Sequence, residues 1–98
     1  ASDVYKRQPP TMDDDPHFHD FVMLQAQNAG LFLGQLPHPA TGRREVNLRA
    51  ARSVLDSLEM LERKTRGNLT HQEDKLLQTA LLNLRPLYEK IEAEQEDA

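Results

Sequence analysis

The chain has 98 residues, 38% of them hydrophobic and 5% aromatic, and its net charge is −4. These values predict one small domain with an aliphatic core, too small for a large buried active site. Because the chain has no cysteine, disulfides, thiolate metal sites and cysteine nucleophiles are excluded, and we expect a cytoplasmic protein.

The residues before Pro16 are predicted to lie outside the folded domain. Residues 1–8 contain the run Asp3–Gln8, which a sequencing adaptor would encode if it were translated, so we expect this segment to be non-native. Residues 9–15 combine two prolines with an acidic run. This composition predicts a flexible acidic leader.

The first helix is predicted over residues 16–34. Asp15 is suited to the N-cap and Pro16 to the first turn, where the amide that proline lacks would be unpaired in any case. Apolar residues then recur at helical spacing, and no charged residue occurs from Phe21 to Gly42, so we expect this helix to be mostly buried. The apolar part is shorter than the ~20 residues of a membrane span, which argues against a membrane segment.

A connecting loop is predicted after this helix. Gly30 and Gly34 have the spacing at which helices can contact closely, but Gly34 is interpreted more simply as the residue that ends the helix. Pro37 and Pro39 remove two backbone donors and favour extended geometry at the preceding residues. Regular structure should resume after Asn47, which is suited to an N-cap.

The second and third helices are predicted over residues 48–66 and 70–92. Gly67 suits the left-handed residue that ends the second helix, while Thr70 and Glu73 form a capping box for the third. Because only three residues separate the two helices, they must run antiparallel as a hairpin.

The end of the third helix is marked by Pro86, which predicts a kink or a break near residues 82–85. A kink is favoured because apolar residues continue beyond it. Residues 93–98 lack apolar partners and are predicted to be a frayed acidic tail. The sequence thus predicts an all-α, three-helix single domain over residues 16–92. Its core anchors are predicted to be Phe18, Phe21, Phe32, Leu77, Leu84 and Tyr88.

Several short motifs are spread along residues 21–88. They are Pro37, Pro39, Thr41-Gly42, Val46-Asn47-Leu48, Leu58, Met60-Leu61, Lys64-Thr65, Gly67-Asn68-Leu69-Thr70 and Leu84-Arg85 with Tyr88. With these motifs the chain resembles a family of small bacterial proteins catalogued as domain of unknown function 1844. Pro86 departs from the usual ending of that family. The resemblance implies no activity, substrate or cofactor, because none is established for the family.

Histidine and aspartate, two residue types that bind metal ions, occur together around His17 and His19. Residues two apart on a helix point about 200° apart, so the two imidazoles cannot converge on one ion. We therefore interpret them as surface or capping groups, and predict no metal site and no cofactor.

A basic cluster is the candidate partner surface. It consists of Arg43, Arg44, Arg49 and Arg52. Arg49 and Arg52 lie at a helix N-terminus, where the helix dipole disfavours cations, so an anionic partner would compensate them. Solvated side chains, protein carboxylates and RNA are the three alternatives, and the small number of aromatic residues disfavours RNA. Simple helix pairs would be Arg52–Asp56, Glu59–Arg63 and Glu62–Arg66.

No catalytic arrangement is apparent in the sequence. Ser53 and Ser57 lie on a helix without a nucleophile elbow, and His38 and His71 fall in a loop and a first helical turn. We predict a non-enzymatic protein-interaction or assembly module whose partner is another protein or a second copy. Membranes and small-molecule substrates are not expected, and an RNA- or ribosome-associated accessory protein is the alternative.

Overall fold

The computed structural model describes residues 13–97. Three helices, each packed against the other two, account for most of this range: α1 (Pro16–Phe32), α2 (Leu48–Lys64) and α3 (His71–Asp97). Over these residues β-type pairing is confined to an isolated bridge between Leu33 and Val46. The predicted all-α three-helix fold is confirmed. The predicted non-native segment 1–8 and residues 9–12 of the predicted leader lie outside the described residues.

α2 and α3 form the predicted antiparallel hairpin. Their contacts run in opposite directions along the two helices, since Glu62 bonds to Gln78 whereas the earlier Glu59 bonds to the later Arg85. The connection turns sharply at Gly67, whose φ is +80°. There the Asn68 amide donates to the Thr65 carbonyl at 2.8 Å, which is the hydrogen bond of a type II turn with glycine at its third position.

α1 ends two residues before its predicted end, and Gly34 has the role that the sequence predicts for it. The Gly34 amide donates to the Leu31 carbonyl at 3.1 Å, and the Gln35 amide donates to the Gly30 carbonyl at 2.9 Å. These are the two bonds of a Schellman motif, and the φ of +76° at Gly34 is the left-handed geometry that the motif requires.

The core lies where the three helices meet, in two clusters. The larger cluster contains Val22, Ala29, Val54, Leu55, Leu58, Leu77, Leu81 and Leu84. The smaller cluster contains Leu33, Ala51 and Ile91. Leu77 and Leu84 are therefore core residues as predicted, while Phe18, Phe32 and Tyr88 are partly buried against the clusters. Phe21 is 44% exposed, so its prediction as a core anchor is wrong.

The expectation that α1 is mostly buried is also wrong. Of its residues only Val22 and Ala29 are fully buried. The physical reason is that the α2–α3 hairpin offers one groove, and a helix lying in one groove buries only the side that faces it. The apolar residues on its other side therefore face outward.

α3 passes through Pro86 without a break and continues to Asp97, whereas the sequence places its end near residue 92. The proline removes the hydrogen bond to the carbonyl of Leu82, four residues earlier. Leu82 is 73% exposed, so water can reach that side of the helix. Beyond Pro86, Ile91 packs with Leu33 and Ala51, and this cluster accounts for the continuation of the helix past the proline.

Candidate interaction surface

The loop between α1 and α2 presents Arg43 and Arg44 at the surface, where both are exposed. The loop is held by its own backbone, because the His38 amide donates to the Arg43 carbonyl at 2.8 Å and the Gly42 amide donates to the His38 carbonyl at 2.7 Å. Gly42 has φ +71°, a left-handed conformation that glycine accepts without strain. The two arginine side chains thus extend from a folded turn.

Arg52 is separated from this cluster by its own partners. Its guanidinium lies 2.9 Å from Asp56 and 3.4 Å from Glu59, so the predicted Arg52–Asp56 pair is confirmed. The same guanidinium lies 5.5 Å from the ring centroid of Tyr88, within cation–π distance. Arg52 is therefore paired with carboxylates of its own helix, while its side chain remains 47% exposed.

The other three members of the predicted basic cluster have a different environment. Arg43, Arg44 and Arg49 are all exposed, and among residues 13–97 none of them has a carboxylate within ion-pair distance. No carboxylate of the described residues therefore offsets these three charges.

A cross-helix ion pair replaces two of the pairs expected within α2. The Arg85 Nε lies 2.9 Å from Glu59, and its Nη2 lies 3.5 Å from Glu62. The hydrogen bond to Glu59, opposed by partial burial, raises the pKa of Arg85 above its usual value. In residues 13–97 the pairs Glu59–Arg63 and Glu62–Arg66 are not formed, because Glu62 pairs with Arg85 of α3 and Glu59 pairs with both Arg85 and Arg52.

Tyr88 on α3 is packed against α2 beneath Arg52. Burial raises the pKa of its hydroxyl, and the nearby carboxylate of Glu92 raises the pKa further, whereas the positive charge of Arg52 lowers it. The shift of the Arg85 pKa thus comes from carboxylates of α2, whereas the shift of the Tyr88 pKa combines burial with the charge of Glu92 on the same helix. The contacts of Arg85 with α2 stabilise the hairpin.

The acidic residues before α1 are tied to the start of α3. In the predicted capping box, the Glu73 amide donates to Thr70 Oγ1 at 3.0 Å and the Thr70 amide donates to Glu73 Oε1 at 2.9 Å. The second carboxylate oxygen of Glu73 accepts the Asp15 amide at 2.7 Å, and the Thr70 hydroxyl donates to Asp14. Asp15 itself caps α1 as predicted, accepting the His17 amide at 2.9 Å. One buried carboxylate therefore serves the ends of two helices.

The outer face of α1 is apolar and exposed. We use this name for Phe21, Met23, Leu24 and Leu36, which are 44%, 48%, 52% and 39% exposed. A shallow cleft on this face is lined by Asp20, Met23, Leu24, Ala26, Gln27 and Leu36. The uncharged run of the sequence indicates this helix, but not which of its sides is exposed.

The two histidines near the start of α1, His17 and His19, are both exposed. His19 Nδ1 lies 3.3 Å from Asp20 Oδ1, an exposed contact between neighbours. Nowhere in the described part of the chain do three histidine, cysteine, aspartate or glutamate side chains gather closely enough to hold one ion. The helices of residues 13–97 are also too short or too polar for any of them to cross a bilayer.

Comparison with known proteins identifies one family. Neither the curated proteins nor the solved structures contain a significant match. The model of the family described as domain of unknown function (DUF1844) matches residues 15–90, from the N-cap of α1 nearly to the end of α3. That range includes the loop at Pro37–Gly42, the turn at Gly67 and the Thr70–Glu73 capping box. The chain therefore belongs to the DUF1844 family.

Proposed function

We propose that this chain is a non-enzymatic protein-interaction module of the cytoplasm, and that it binds its partner through the outer face of α1. The observation that supports the proposal is the exposure of four large apolar side chains, three of which, Met23, Leu24 and Leu36, line one shallow cleft. They belong to a stretch that carries no charged residue from Phe21 to Gly42.

The arrangement of these side chains distinguishes them from ordinary exposed leucines. Burial of apolar surface stabilises a complex by roughly 25 cal/mol per Å² before the costs of association, so adjacent apolar side chains give a partner much to gain. Leu82 is more exposed, at 73%, but it is flanked by polar groups such as Gln78 and Arg85. A single exposed leucine of that kind is normal on a protein surface.

Site-specific photo-cross-linking in cells of the source organism tests the proposal. A benzophenone amino acid at Leu24 should give a discrete cross-linked protein product, whereas the same group at Leu82 should give none or much less. Both positions are exposed on helices, so they differ mainly in their surroundings. Equal or absent products at the two positions would refute binding through this face.

The alternative function is an RNA- or ribosome-associated accessory protein. It is supported by Arg43, Arg44 and Arg49, which have no carboxylate partner among the described residues. Phosphate binding through these residues must weaken steeply as salt rises, because bound counterions are released. An apolar protein interface persists in salt, so a gel shift at ~50 mM salt followed by a salt series separates the two functions.

A further inference from the structure

We propose that the outer face of α1 binds a second copy of this chain, with the two α1 helices antiparallel about a two-fold axis near Leu24. This inference rests on the proposed function, since it names the partner of the same surface. Two observations lead to it, the spacing of residues on α1 and the distribution of charge along it, and the extent of the apolar face sets the expected affinity.

The residues on the outer side of α1 have the spacing of a helix–helix seam. Asp20, Leu24, Gln27 and the half-buried Leu31 follow one another at intervals of four, three and four residues, on the side of α1 opposite to the buried Val22 and Ala29, and Leu24 and Leu31 are the apolar members of this row. Met23 and Phe21 flank this seam on its two sides. A helix with such a seam can pack lengthwise against another helix.

Charge decides the direction of the second helix. Asp13, Asp14, Asp15 and Asp20 lie at the N-terminal end of α1, and the next charged residues along the chain are Arg43 and Arg44, beyond its C-terminal end. An antiparallel pair places the acidic end of each copy beside the loop of the other copy that carries Arg43 and Arg44. A parallel pair would place aspartates against aspartates, at a cost in repulsion.

The loop that carries Arg43 and Arg44 begins beside this face. Leu36, near the start of that loop, lies over Gly30, with its Cδ1 3.5 Å from where a Cβ would stand. Asp20 is available at the opposite end, with its side chain 78% exposed. Each copy thus offers both halves of the contact, as a two-fold symmetric interface requires.

The extent of the face predicts a weak dimer. A helix of 17 residues is about 25 Å long, and four partly exposed side chains amount to a few hundred Å² of apolar surface. Stable interfaces bury about 800 Å² on each partner, so the charged ends and the loop must contribute the rest. We expect a dissociation constant in the micromolar range, with the monomer dominant at high dilution.

Sedimentation equilibrium of the purified full chain tests self-association, and Leu24→Glu is the decisive variant. It should weaken the dimer at least tenfold, because it buries a charge beside its own copy at the axis. Leu82→Glu is the matched control and should leave the dimer unchanged. Circular dichroism checks that each variant is folded. If Leu24→Glu does not fold, Met23→Glu replaces it as the test variant. A wild-type chain that stays monomeric, or a dimer insensitive to Leu24→Glu, would overturn the inference.

Charge reversal tests the antiparallel direction. The pair of changes Arg43→Glu and Arg44→Glu should weaken the dimer, and so should the pair Asp13→Lys and Asp20→Lys. All four changes in one chain should restore it, because lysines then face glutamates across the axis. In a parallel dimer the combined variant would bring like charges together again, and failure to restore the dimer would refute the proposed direction.

Disulfide formation between introduced cysteines tests the position of the two-fold axis. No native cysteine competes, since the chain has none. Leu24→Cys should form a disulfide with its own copy. His17→Cys and Leu31→Cys lie seven residues on either side of the axis, so each is about 21 Å from its own equivalent and should cross-link only in a mixture of the two variants. Self-cross-linking at all three positions would indicate a parallel dimer.

The outcomes also separate this inference from the proposed function. A monomeric chain that still gives a Leu24 photo-cross-link to a different protein retains the proposed function and refutes self-association. A monomeric chain with no such cross-link refutes both.

Discussion

Gly30 and Gly67 place opposite constraints on a side chain. At Gly67 the space around the missing Cβ is open, but φ is +80°, which disfavours any L-residue. At Gly30 a Cβ would touch Leu36 at 3.5 Å, an ordinary contact, within regular helix. The backbone, not the available space, sets the effect of a substitution at each position.

Alanine substitution at the two glycines should therefore change stability in opposite directions. Gly30→Ala should raise the free energy of unfolding by about 0.5–1 kcal/mol, because alanine loses less backbone entropy in a helix. Gly67→Ala should lower it by about 1 kcal/mol through left-handed strain. Urea unfolding at low protein concentration, where self-association does not contribute, measures both. A destabilised Gly30→Ala variant would show that Leu36 cannot adjust to the extra methyl group.

The residue-scale features are the ones that the sequence predicts best. Asp15 and Asn47 cap their helices as expected, with the Asn47 side chain accepting the Ala50 amide at 3.1 Å. Capping and turn formation depend on residues at most five positions apart, so the necessary information lies in a short window. Gly34 also acts locally, because the hydrogen bonds around it join residues no more than five positions apart.

Contacts between helices are harder to predict from the sequence than caps and turns. The pairing of Glu59 with Arg85 joins residues 26 positions apart, and nothing in α2 alone distinguishes it from a pair within the helix. The open side of α1 could not be predicted for a related reason. Its residues are apolar on both sides, so only the position of the α2–α3 groove decides which side is buried.

The contact between α2 and α3 at Tyr88 predicts an alkaline titration. Burial raises the pKa of Tyr88 above its usual value of 10.0, and Arg52 partly offsets the shift. In a Tyr5→Phe background, which removes the other tyrosine, tyrosinate absorbance at 295 nm should rise with a midpoint above that of free tyrosine. Arg52→Gln should move the midpoint higher, and Glu92→Gln should move it lower. A Tyr88 midpoint at or below that of free tyrosine would contradict the packing described.

The same shift has a consequence for stability. Because the folded pKa is above the unfolded pKa, folding favours the neutral phenol. The resulting stabilisation is present below pH about 10 and is lost as the pH rises through the folded pKa. Unfolding by urea should therefore become easier in strong alkali, and less so when Tyr88 is replaced by phenylalanine.

At the scale of the whole molecule, the Thr70–Glu73 box does more than start one helix. Glu73 is only 8% exposed and its two oxygens accept amides from Thr70 and Asp15, which directly precede two different helices. The box thus fixes the start of α1 against the start of α3, while Leu33, Ala51 and Ile91 hold the opposite end of the bundle. The sequence predicts the box from its local pattern but not its second partner, because Asp15 lies 58 positions away.

This double use predicts that Glu73 will not tolerate glutamine. An ordinary capping box accepts glutamine in place of glutamate, since one carbonyl oxygen is enough. Here Glu73→Gln would turn an amide group toward the Asp15 amide, which would lose its hydrogen bond at a cost of about 0.5–1.5 kcal/mol. Glu89→Gln, at an exposed position of the same helix, should change the free energy of unfolding by less than about 0.5 kcal/mol. Urea titrations give both values.

Hydrogen exchange identifies the bond directly, since the Asp15 amide should exchange slowly in the wild type and rapidly in Glu73→Gln. If both variants were equally stable and the Asp15 amide exchanged at the same rate in each, Glu73 would be an ordinary cap of α3 alone.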